Sequence, residues 1–125
     1  MEFKQVLNKH LKAMVSKNLS DFIETVSKDN ITLIMPNGKL ITSFKEFFAL
    51  HDAWFSDEDW SIEYEIINIV EKSELSTALL KINYKDVDEK DEIVYLNYYL
   101  NLMFEYIDDS WLLVHDQNTI FTESY

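Results

Sequence analysis

The sequence predicts an α+β domain in which three N-terminal helices pack on one face of a curved antiparallel sheet. Two observations lead to this fold class. Apolar residues recur at helical spacing in the first half of the chain, and four long runs of alternating apolar and polar residues fill the second half. The chain has 125 residues, of which 47% are hydrophobic, so one domain covering residues 1–125 can bury a single core.

The first helix is predicted from Phe3 onward because apolar residues three and four positions apart form one buried stripe, on which His10 also lies. The stripe consists of Phe3, Val6, Leu7, Leu11, Met14 and Val15. A second, short helix is expected at about residues 20–28, since residues 18–21 offer capping side chains just before an apolar segment.

A β-hairpin is predicted at residues 31–42. Residues 31–35 and 39–42 are aliphatic and β-branched runs, and the Asn37-Gly38 pair between them is typical of a tight turn. Ser43 then offers an N-cap for a third helix, whose apolar face is rich in aromatic residues. That face carries Phe44, Phe47, Phe48, Leu50, His51, Trp54 and Phe55.

Four long strands are predicted at residues 60–71, 75–85, 93–106 and 111–121, with polar turns between them. In the third of these runs the even-numbered residues are apolar or aromatic, whereas the odd-numbered ones include Asn97, Asn101 and Glu105. One face of this strand therefore meets a core. The preceding run alternates in the same way, so the two strands agree about the inner side of an antiparallel meander.

Composition excludes several classes of partner. Eleven basic and 23 acidic residues give a net charge of −12, which would repel a phosphate backbone, so no nucleic acid is expected to bind. All the basic residues are lysines, so no guanidinium is present to clamp a carboxylate or a phosphate. The single glycine, Gly38, rules out a glycine-rich phosphate loop.

Metal, cofactor and membrane binding are not expected either. The chain has no cysteine, its three histidines lack metal-site spacing, and the acidic residues 56–59 lack the spacing and the glycine of a calcium loop. No segment approaches the roughly 18 apolar residues that a membrane span requires. The N-terminus is amphipathic rather than basic and then apolar, so the expected localisation is cytoplasmic.

The order of the elements and several groups of residues resemble the nuclear transport factor 2-like (NTF2-like) superfamily. The groups are Leu11-Lys12-Ala13-Met14-Val15, Phe22, Phe47-Phe48, His51, Trp54 and the ending Trp111-Leu-Leu-Val-His-Asp-Gln-Asn-Thr119. The chain looks most similar to SnoaL-like proteins and to the association domain of calcium/calmodulin-dependent kinase II, whose last strand has a similar Trp-x-x-Val-His pattern. The resemblance spans nearly the whole chain and implies a cone-shaped, cystatin-like fold with an internal pocket.

The last predicted strand presents two sets of side chains, which its own pattern does not distinguish. One set is Trp111, Leu113, His115 and Gln117, and the other is Leu112, Val114, Asp116 and Asn118. The resemblance implies that the set containing Asp116 and Asn118 lines the cone, while Trp111 and His115 lie on the outer face, where such proteins commonly dimerise. A bulge in this strand would exchange the two sets.

Asp116 and His51 are the candidate catalytic residues. Apolar neighbours would raise the proton affinity of a buried Asp116, although an aspartate at the sheet rim can equally serve as a structural acceptor. His51 lies one turn from Phe47 and Trp54 and is expected at the pocket mouth, or bonded to a backbone carbonyl. The candidate ligand-binding residues are His10, Phe47, Trp54, Tyr98, Leu102, Val114 and Asn118.

Two functions follow from these expectations. The first is a binding domain whose pocket takes a small neutral hydrophobic compound, since Asn118 stands where the resembled association domain uses arginine for anionic ligands. The alternative is a cofactor-independent acid–base enzyme, an isomerase, cyclase or dehydratase, in which Asp116 and His51 move protons. In that enzyme His10 could replace His51, and Tyr98 or Asn118 would polarise a substrate carbonyl.

A homodimer is expected in either case, because the predicted outer face of the sheet is too apolar to remain fully hydrated. That predicted face consists of Trp111, Leu113, Tyr95, Tyr99, Met103 and Ile69, together with Asn97 and Asn101.

Overall fold

The computed structural model describes residues 1–122, and in this part the chain forms three helices and six strands. The helices are α1 (Phe3–Ser16), α2 (Leu19–Glu24) and α3 (Phe44–Phe55). The strands are β1 (Thr32–Ile34), β2 (Leu40–Ile41), β3 (Ser61–Val70), β4 (Leu75–Val87), β5 (Ile93–Ile107) and β6 (Ser110–Ile120). The predicted α+β class is confirmed, and the last three residues of the predicted domain lie outside the described residues.

Side-chain caps begin the second and third helices. The Asn18 side chain accepts a hydrogen bond from the Asp21 N–H at 3.1 Å, and the predicted Ser43 cap accepts from the Glu46 N–H at 3.2 Å. The second helix ends at Glu24, earlier than predicted. The chain beyond it bonds to β6 instead, because the Ser27 N–H donates to the Leu113 carbonyl and Val26 bridges the same residue.

The strands form one sheet in the order β2-β1-β6-β5-β4-β3. Strands β3 to β6 form the predicted antiparallel meander. The short strand β1 instead pairs with β6 in parallel, with Leu33 opposite Asp116. The sheet is therefore mixed rather than wholly antiparallel. The third helix and the entire meander connect β1 to β6, and a connection of that length leaves the relative direction of the two strands open.

A bulge in β6 changes which side chains face the core. Leu102 of β5 lies opposite Asp116, but Phe104 lies opposite Leu113, so Val114 is an extra residue in β6. Because of this insertion, Leu113 and Asp116 are both buried on the inner face. A regular strand would have placed them on opposite faces.

Trp111, Leu113 and Ile69 were predicted on the outer face of the sheet, and bulges in β6 and β3 make these predictions wrong. Trp111 is 8% exposed and its ring packs edge-on against Phe3 of α1, with 5.4 Å between ring centroids. A second bulge, in β3, places Ile69 opposite the fully buried Ala78. Tyr95, Tyr99, Met103, Asn97 and Asn101 of β5 do lie on the face opposite to the buried side chains of that strand, as alternation predicts.

The helices and the inner face of the sheet bury one apolar core. Its members include Phe3, Leu7 and Leu11 of α1, Phe22 of α2 and the central residues of β4 and β5. Over residues 1–122 no helix is long and apolar enough to cross a lipid bilayer.

Candidate functional site

A cavity of about 550 Å³ lies between the helices and the inner face of the sheet. All three helices, the loop after β1 and strands β1, β4, β5 and β6 contribute to its wall. Most of the lining side chains are apolar or aromatic, and exposed residues such as Asn37, Ala53 and Asp57 mark the mouth. The lining residues are His10, Met14, Phe22, Leu33, Met35, Pro36, Asn37, Leu50, His51, Ala53, Trp54, Asp57, Tyr84, Leu96, Tyr98, Leu100, Asp116 and Asn118.

Asp116 and Asn118 enter the cavity from β6, beyond the bulge. The Asn118 amide nitrogen donates to Oδ1 of Asp116 at 3.0 Å and to the backbone carbonyl of Ile34 at 2.8 Å. Ile34 belongs to β1, so the parallel pairing of β1 with β6 supplies the acceptor that orients this amide. Both partners are acceptors, which assigns the nitrogen, rather than the oxygen, of the amide to these two bonds.

The Asp116 carboxyl group is poised to exchange a proton near neutral pH. The residue is 6% exposed, and burial raises its pKa from an ordinary 3.8 to about 7. The hydrogen bond from Asn118 favours the carboxylate and offsets part of that rise. No lysine lines the cavity within the described residues, so no cation is present to pull the pKa of Asp116 back down.

His10 lies deep in the wall and is held in one tautomer. Its Nδ1 lies 2.7 Å from the Thr25 hydroxyl, which itself donates to the Phe22 carbonyl. The hydroxyl hydrogen is thus already used, so Nδ1 of His10 carries the proton and donates it. Burial, with a smaller contribution from the neighbouring His51, lowers the pKa of His10 to about 3, so the imidazole is neutral at physiological pH.

His51 has the same tautomer for a different reason. Its Nδ1 lies 2.7 Å from the backbone carbonyl of Phe47, one turn earlier in α3, and a carbonyl can only accept. His51 was expected either at the pocket mouth or bonded to a backbone carbonyl. It makes the backbone bond, and its ring also lines the cavity. Burial lowers the pKa of His51 to about 4 despite the Phe47 bond, so this ring is neutral as well.

Three aromatic side chains with polar atoms complete the wall. Burial raises the pKa of Tyr98, and the Asp116 carboxylate raises it further. The Tyr84 hydroxyl donates to Asp86 at 2.5 Å, and burial followed by this bond raises the pKa of Tyr84 to about 12. Trp54 stacks on Trp60 at 4.0 Å, and its indole offsets part of the rise in the pKa of Tyr84. All three phenol and indole groups thus stay protonated.

The structure brings six of the nine predicted site residues to the cavity wall: His10, His51, Trp54, Tyr98, Asp116 and Asn118. The other three expected lining residues, Phe47, Leu102 and Val114, lie elsewhere. Phe47 is buried behind the His51 ring, with 4.1 Å between centroids, and Leu102 is wholly buried in the core. Val114 is the inserted residue of the β6 bulge, which removes it from the alternation that would have aimed it inward.

Sequence reasoning missed the contribution of the β1–β2 hairpin to the wall. Leu33, Met35, Pro36 and Asn37 line the cavity because β1 adds to the edge of β6. The Asn37-Gly38 signal correctly marked the turn but carried no information about which strand the hairpin would meet. Phe22 also lines the cavity, and its position between His10 and His51 depends on how α2 packs.

The described residues contain no group of three or more histidine, cysteine, aspartate or glutamate side chains arranged to hold a metal ion. Inside the mouth, where Asn37 and Asp57 lie, the polar groups of the wall include one carboxyl group, two neutral imidazoles, two phenols and one primary amide.

These features define the class of the protein, which is an α+β cone whose cavity holds a buried carboxyl group. The family model of the SnoaL-like domain matches residues 4–122, so the chain belongs to the SnoaL-like family. A search of curated proteins finds no match. Solved structures with a similar fold include proteins described as NTF2-like and as cystatin-like.

Solved structures share the fold at low sequence identity. A ketosteroid isomerase-like protein from Erwinia carotovora atroseptica is 14% identical with a TM-score of 0.79, covering 96% of this chain and 94% of that one. An NTF2-like protein of unknown function from Shewanella oneidensis is 18% identical, with a TM-score of 0.68 and coverages of 92% and 93%. The association domain of C. elegans CaMKII is 13% identical, with a TM-score of 0.65 and coverages of 91% and 89%.

Proposed function

We propose that this domain binds a small, predominantly apolar molecule in the cavity, with Asp116 and Asn118 orienting its polar end. The observation that carries the proposal is the cavity itself, whose volume of about 550 Å³ falls in the range of small-molecule sites. Aromatic and aliphatic side chains form most of the wall, and the polar groups are few and convergent, which is the arrangement of a site that binds by burial and orients by hydrogen bonds.

An anionic ligand is disfavoured by charge. The chain carries a net charge of −12 and no arginine, and the side chain nearest to Asp116 in β6 is the uncharged Asn118. A carboxylate or phosphate placed beside Asp116 would meet a like charge in a poorly hydrated site, which is unfavourable.

Binding can be tested with the neutral apolar dye N-phenyl-1-naphthylamine, whose fluorescence rises on transfer out of water. The wild-type protein should bind the dye with saturable, one-site behaviour. The variant Leu96→Trp, which adds bulk to the cavity wall, should bind at least about tenfold more weakly because it occupies ligand volume. Leu79→Trp is the matched control, since Leu79 is a partly exposed leucine on the outer face of the sheet.

Two outcomes would contradict the binding proposal. One is the absence of saturable dye binding to the wild-type protein. The other is equal binding by the Leu96→Trp variant and the wild type, which would place the dye on some other surface.

A cofactor-independent acid–base enzyme is the second candidate function. The pKa of Asp116, near 7 inside an apolar cavity, favours it, because a general acid or base works best when its pKa is close to the ambient pH. The ketosteroid isomerase-like relative in structure supports the same reading. His51 would then serve as a neutral partner through Nε2, and the Tyr98 hydroxyl as the donor to a substrate carbonyl.

The enzyme candidate is tested by turnover of a panel of enolisable ketones. If Asp116 is the proton carrier, Asp116→Asn should lower turnover by about 10² or more, while dye affinity stays near the wild-type value. A wild-type protein that binds the dye yet turns over no ketone, lactone or hydroxy compound in the panel would leave binding as the function.

We also propose that two copies associate through the outer face of the sheet. That face bears Tyr95, Tyr99 and Met103, and a shallow groove there is lined by Asn68, Thr77, Leu79, Tyr99, Asn101, Gln117 and Thr119. Likeness to an association domain supports this proposal at the level of the fold. Uncharged amides and hydroxyls can pair with their own symmetry copies without charge repulsion, which suits a two-fold interface.

A further inference from the structure

The hydrogen-bond donors of the cavity wall are nearly all used within the protein. His10 and His51 each donate from Nδ1, to Thr25 and to the Phe47 carbonyl, which leaves Nε2 of each ring as a lone-pair acceptor. The rings are neutral, so Nε2 carries no proton. These two imidazoles therefore offer acceptors only.

Hydrogen-bond donors of cavity side chains on the sheet are also used within the protein. Both hydrogens of the Asn118 amide are engaged, with Asp116 and Ile34, so its side-chain oxygen is what remains for a ligand. The Tyr84 hydroxyl donates to Asp86, and the Trp54 ring stacks against Tyr84.

The Nε2 atoms of both rings retain a small contact with the cavity, although His10 is only 1% and His51 only 5% exposed. Neither has a hydrogen-bond partner, yet among the described residues no fully buried side-chain nitrogen or oxygen lacks one. The two Nε2 atoms are therefore not sealed in the core. Since His10 and His51 both line the cavity, this is where the atoms are reached.

The interior thus offers a carboxylate, an amide oxygen and two imidazole nitrogens, all acceptors. Among the described residues of the interior, the Tyr98 hydroxyl is a side-chain donor without a partner. A ligand whose polar end is an acceptor, such as a ketone, would leave most of these groups unsatisfied. Burying these acceptors unpaired against an apolar compound would cost binding free energy. A ligand with several N–H groups would donate hydrogen bonds to them instead.

Charge selects among the possible donors. Asp116 is buried, no lysine lines the cavity, and Phe22, Trp54 and Tyr98 contribute aromatic surface, which tolerates a cation better than an anion. A buried carboxylate without a cationic partner in the protein is a site for a cation supplied by the ligand.

We propose that the ligand is a compact hydrophobic amine, whose ammonium group pairs with Asp116 and donates to Nε2 of His10 or His51. The inference rests on the proposed binding function and names the chemical class of its ligand. The sequence alone predicted an uncharged compound. In the amine, the hydrocarbon part fills the apolar cavity and Asp116 neutralises the single positive charge.

A matched series of adamantane compounds tests the amine, because the rigid skeleton stays constant while the polar group changes. The probes are 1-adamantanamine, 1-adamantanol, 2-adamantanone, adamantane-1-carboxylate and N,N,N-trimethyl-1-adamantylammonium. Titration calorimetry is carried out at about pH 8, where Asp116 is ionised and an alkyl amine is protonated. The amine should bind about 10- to 100-fold more tightly than the alcohol or the ketone, as expected for charge-assisted hydrogen bonds.

The trimethylated compound separates charge from hydrogen bonding, since it keeps the positive charge and has no N–H group. We expect it to bind more weakly than the primary amine, because the imidazole acceptors then stay unsatisfied. Equal or tighter binding of the trimethylated compound would overturn the part assigned to His10 and His51.

Variants locate the interaction. Asp116→Asn keeps the shape of the side chain and should lower the affinity for the amine at least about tenfold, and should lower the affinity for the alcohol by much less. Asp52→Asn, on the exposed side of α3 and outside the cavity wall, should leave both affinities within about twofold of wild type because exposed charges are screened. The ranking of ligands by the wild-type protein stands even if a variant folds poorly.

The possible failures are distinguishable. If the alcohol or the ketone binds as tightly as the amine, or if Asp116→Asn leaves the amine preference intact, the amine is the wrong ligand class while small-molecule binding stands. If no adamantane compound binds and the naphthylamine dye does not bind either, the binding function itself is wrong.

Discussion

Asn118 donates one amide hydrogen to the Asp116 carboxylate at 3.0 Å and the other to the Ile34 carbonyl at 2.8 Å. This pair links the parallel strand β1 to the carboxyl group of the cavity. Both amide hydrogens of Asn118 are used within the protein, and Asp116 has one neutral hydrogen-bond partner. The carboxyl group is therefore oriented by a neutral partner, whose hydrogen bond offsets only part of the rise in pKa that burial causes.

The first prediction concerns stability and the proton of Asp116. The pKa of Asp116 is about 7 in the folded protein and 3.8 in the unfolded reference, so between these values the folded state holds a proton that the unfolded state has released. The contribution of Asp116 to stability must then fall as pH rises from about 4 to about 7. Asp116→Asn, which cannot ionise, should be more stable than wild type above pH 7, by roughly a few kcal/mol.

Urea unfolding at about pH 5 and pH 8 measures this difference. The advantage of the Asn variant should grow between the two pH values. Glu63→Gln on the exposed side of β3 serves as the control and should show no such growth. A wild-type protein that gains stability over the Asn variant as pH rises would contradict a raised pKa for Asp116.

The second prediction concerns acid sensitivity and has the opposite sign. The folded-state pKa of His51 is lowered to about 4 from 6.5, so as pH falls below about 6.5 the unfolded state takes up a proton that the folded state does not. Stability should fall in this range, and His10 acts in the same direction. His51→Gln should flatten part of the fall.

Unfolding free energies at about pH 7 and pH 5 test the histidine effect, with His115→Gln as the control because His115 lies on the outer side of β6. The control should retain the wild-type loss of stability. If His51→Gln loses as much stability on acidification as wild type does, His51 is not buried as a neutral ring.

The third prediction concerns the bulge in β6. Trp111 lies inward and packs on Phe3, so Trp111→Ala should cost about 3–5 kcal/mol of unfolding free energy, as for a large core aromatic. Tyr95→Ala, at a site that is 71% exposed, should cost far less. Equal small losses at both sites would indicate that Trp111 lies on the outer face after all.

The fourth prediction concerns self-association. Light scattering should report about twice the 14.9 kDa chain mass. Tyr99→Lys, in the outer groove, should shift the protein to the monomer because it buries a charge at the proposed interface. Phe48→Lys is the matched control, since Phe48 on α3 is 39% exposed and Tyr99 38%. A wild-type monomer at micromolar concentration would refute the dimer.

Local patterns in the amino-acid sequence predicted the elements and most of the inner face of the sheet. Helical spacing in α1, the Ser43 cap of α3 and the period of two in β4 and β5 are local signals, and each depends on residues a few positions apart. Local signals of this kind also placed Tyr98 inward, because alternation along one regular strand needs no knowledge of its neighbours.

The inner face of β6, the parallel pairing of β1 and the protonation states in the cavity depend on contacts between distant parts of the chain. The bulge at Val114 puts both Leu113 and Asp116 inside, and a one-residue insertion leaves no trace in the apolar pattern of a strand whose two faces are equally mixed. The tautomers of His10 and His51 depend on Thr25 and on a helix carbonyl, and the pKa of Asp116 depends on water being excluded by distant parts of the chain. Burial is a property of the assembled core, so the chemistry of these side chains was settled by packing and not by their order in the sequence.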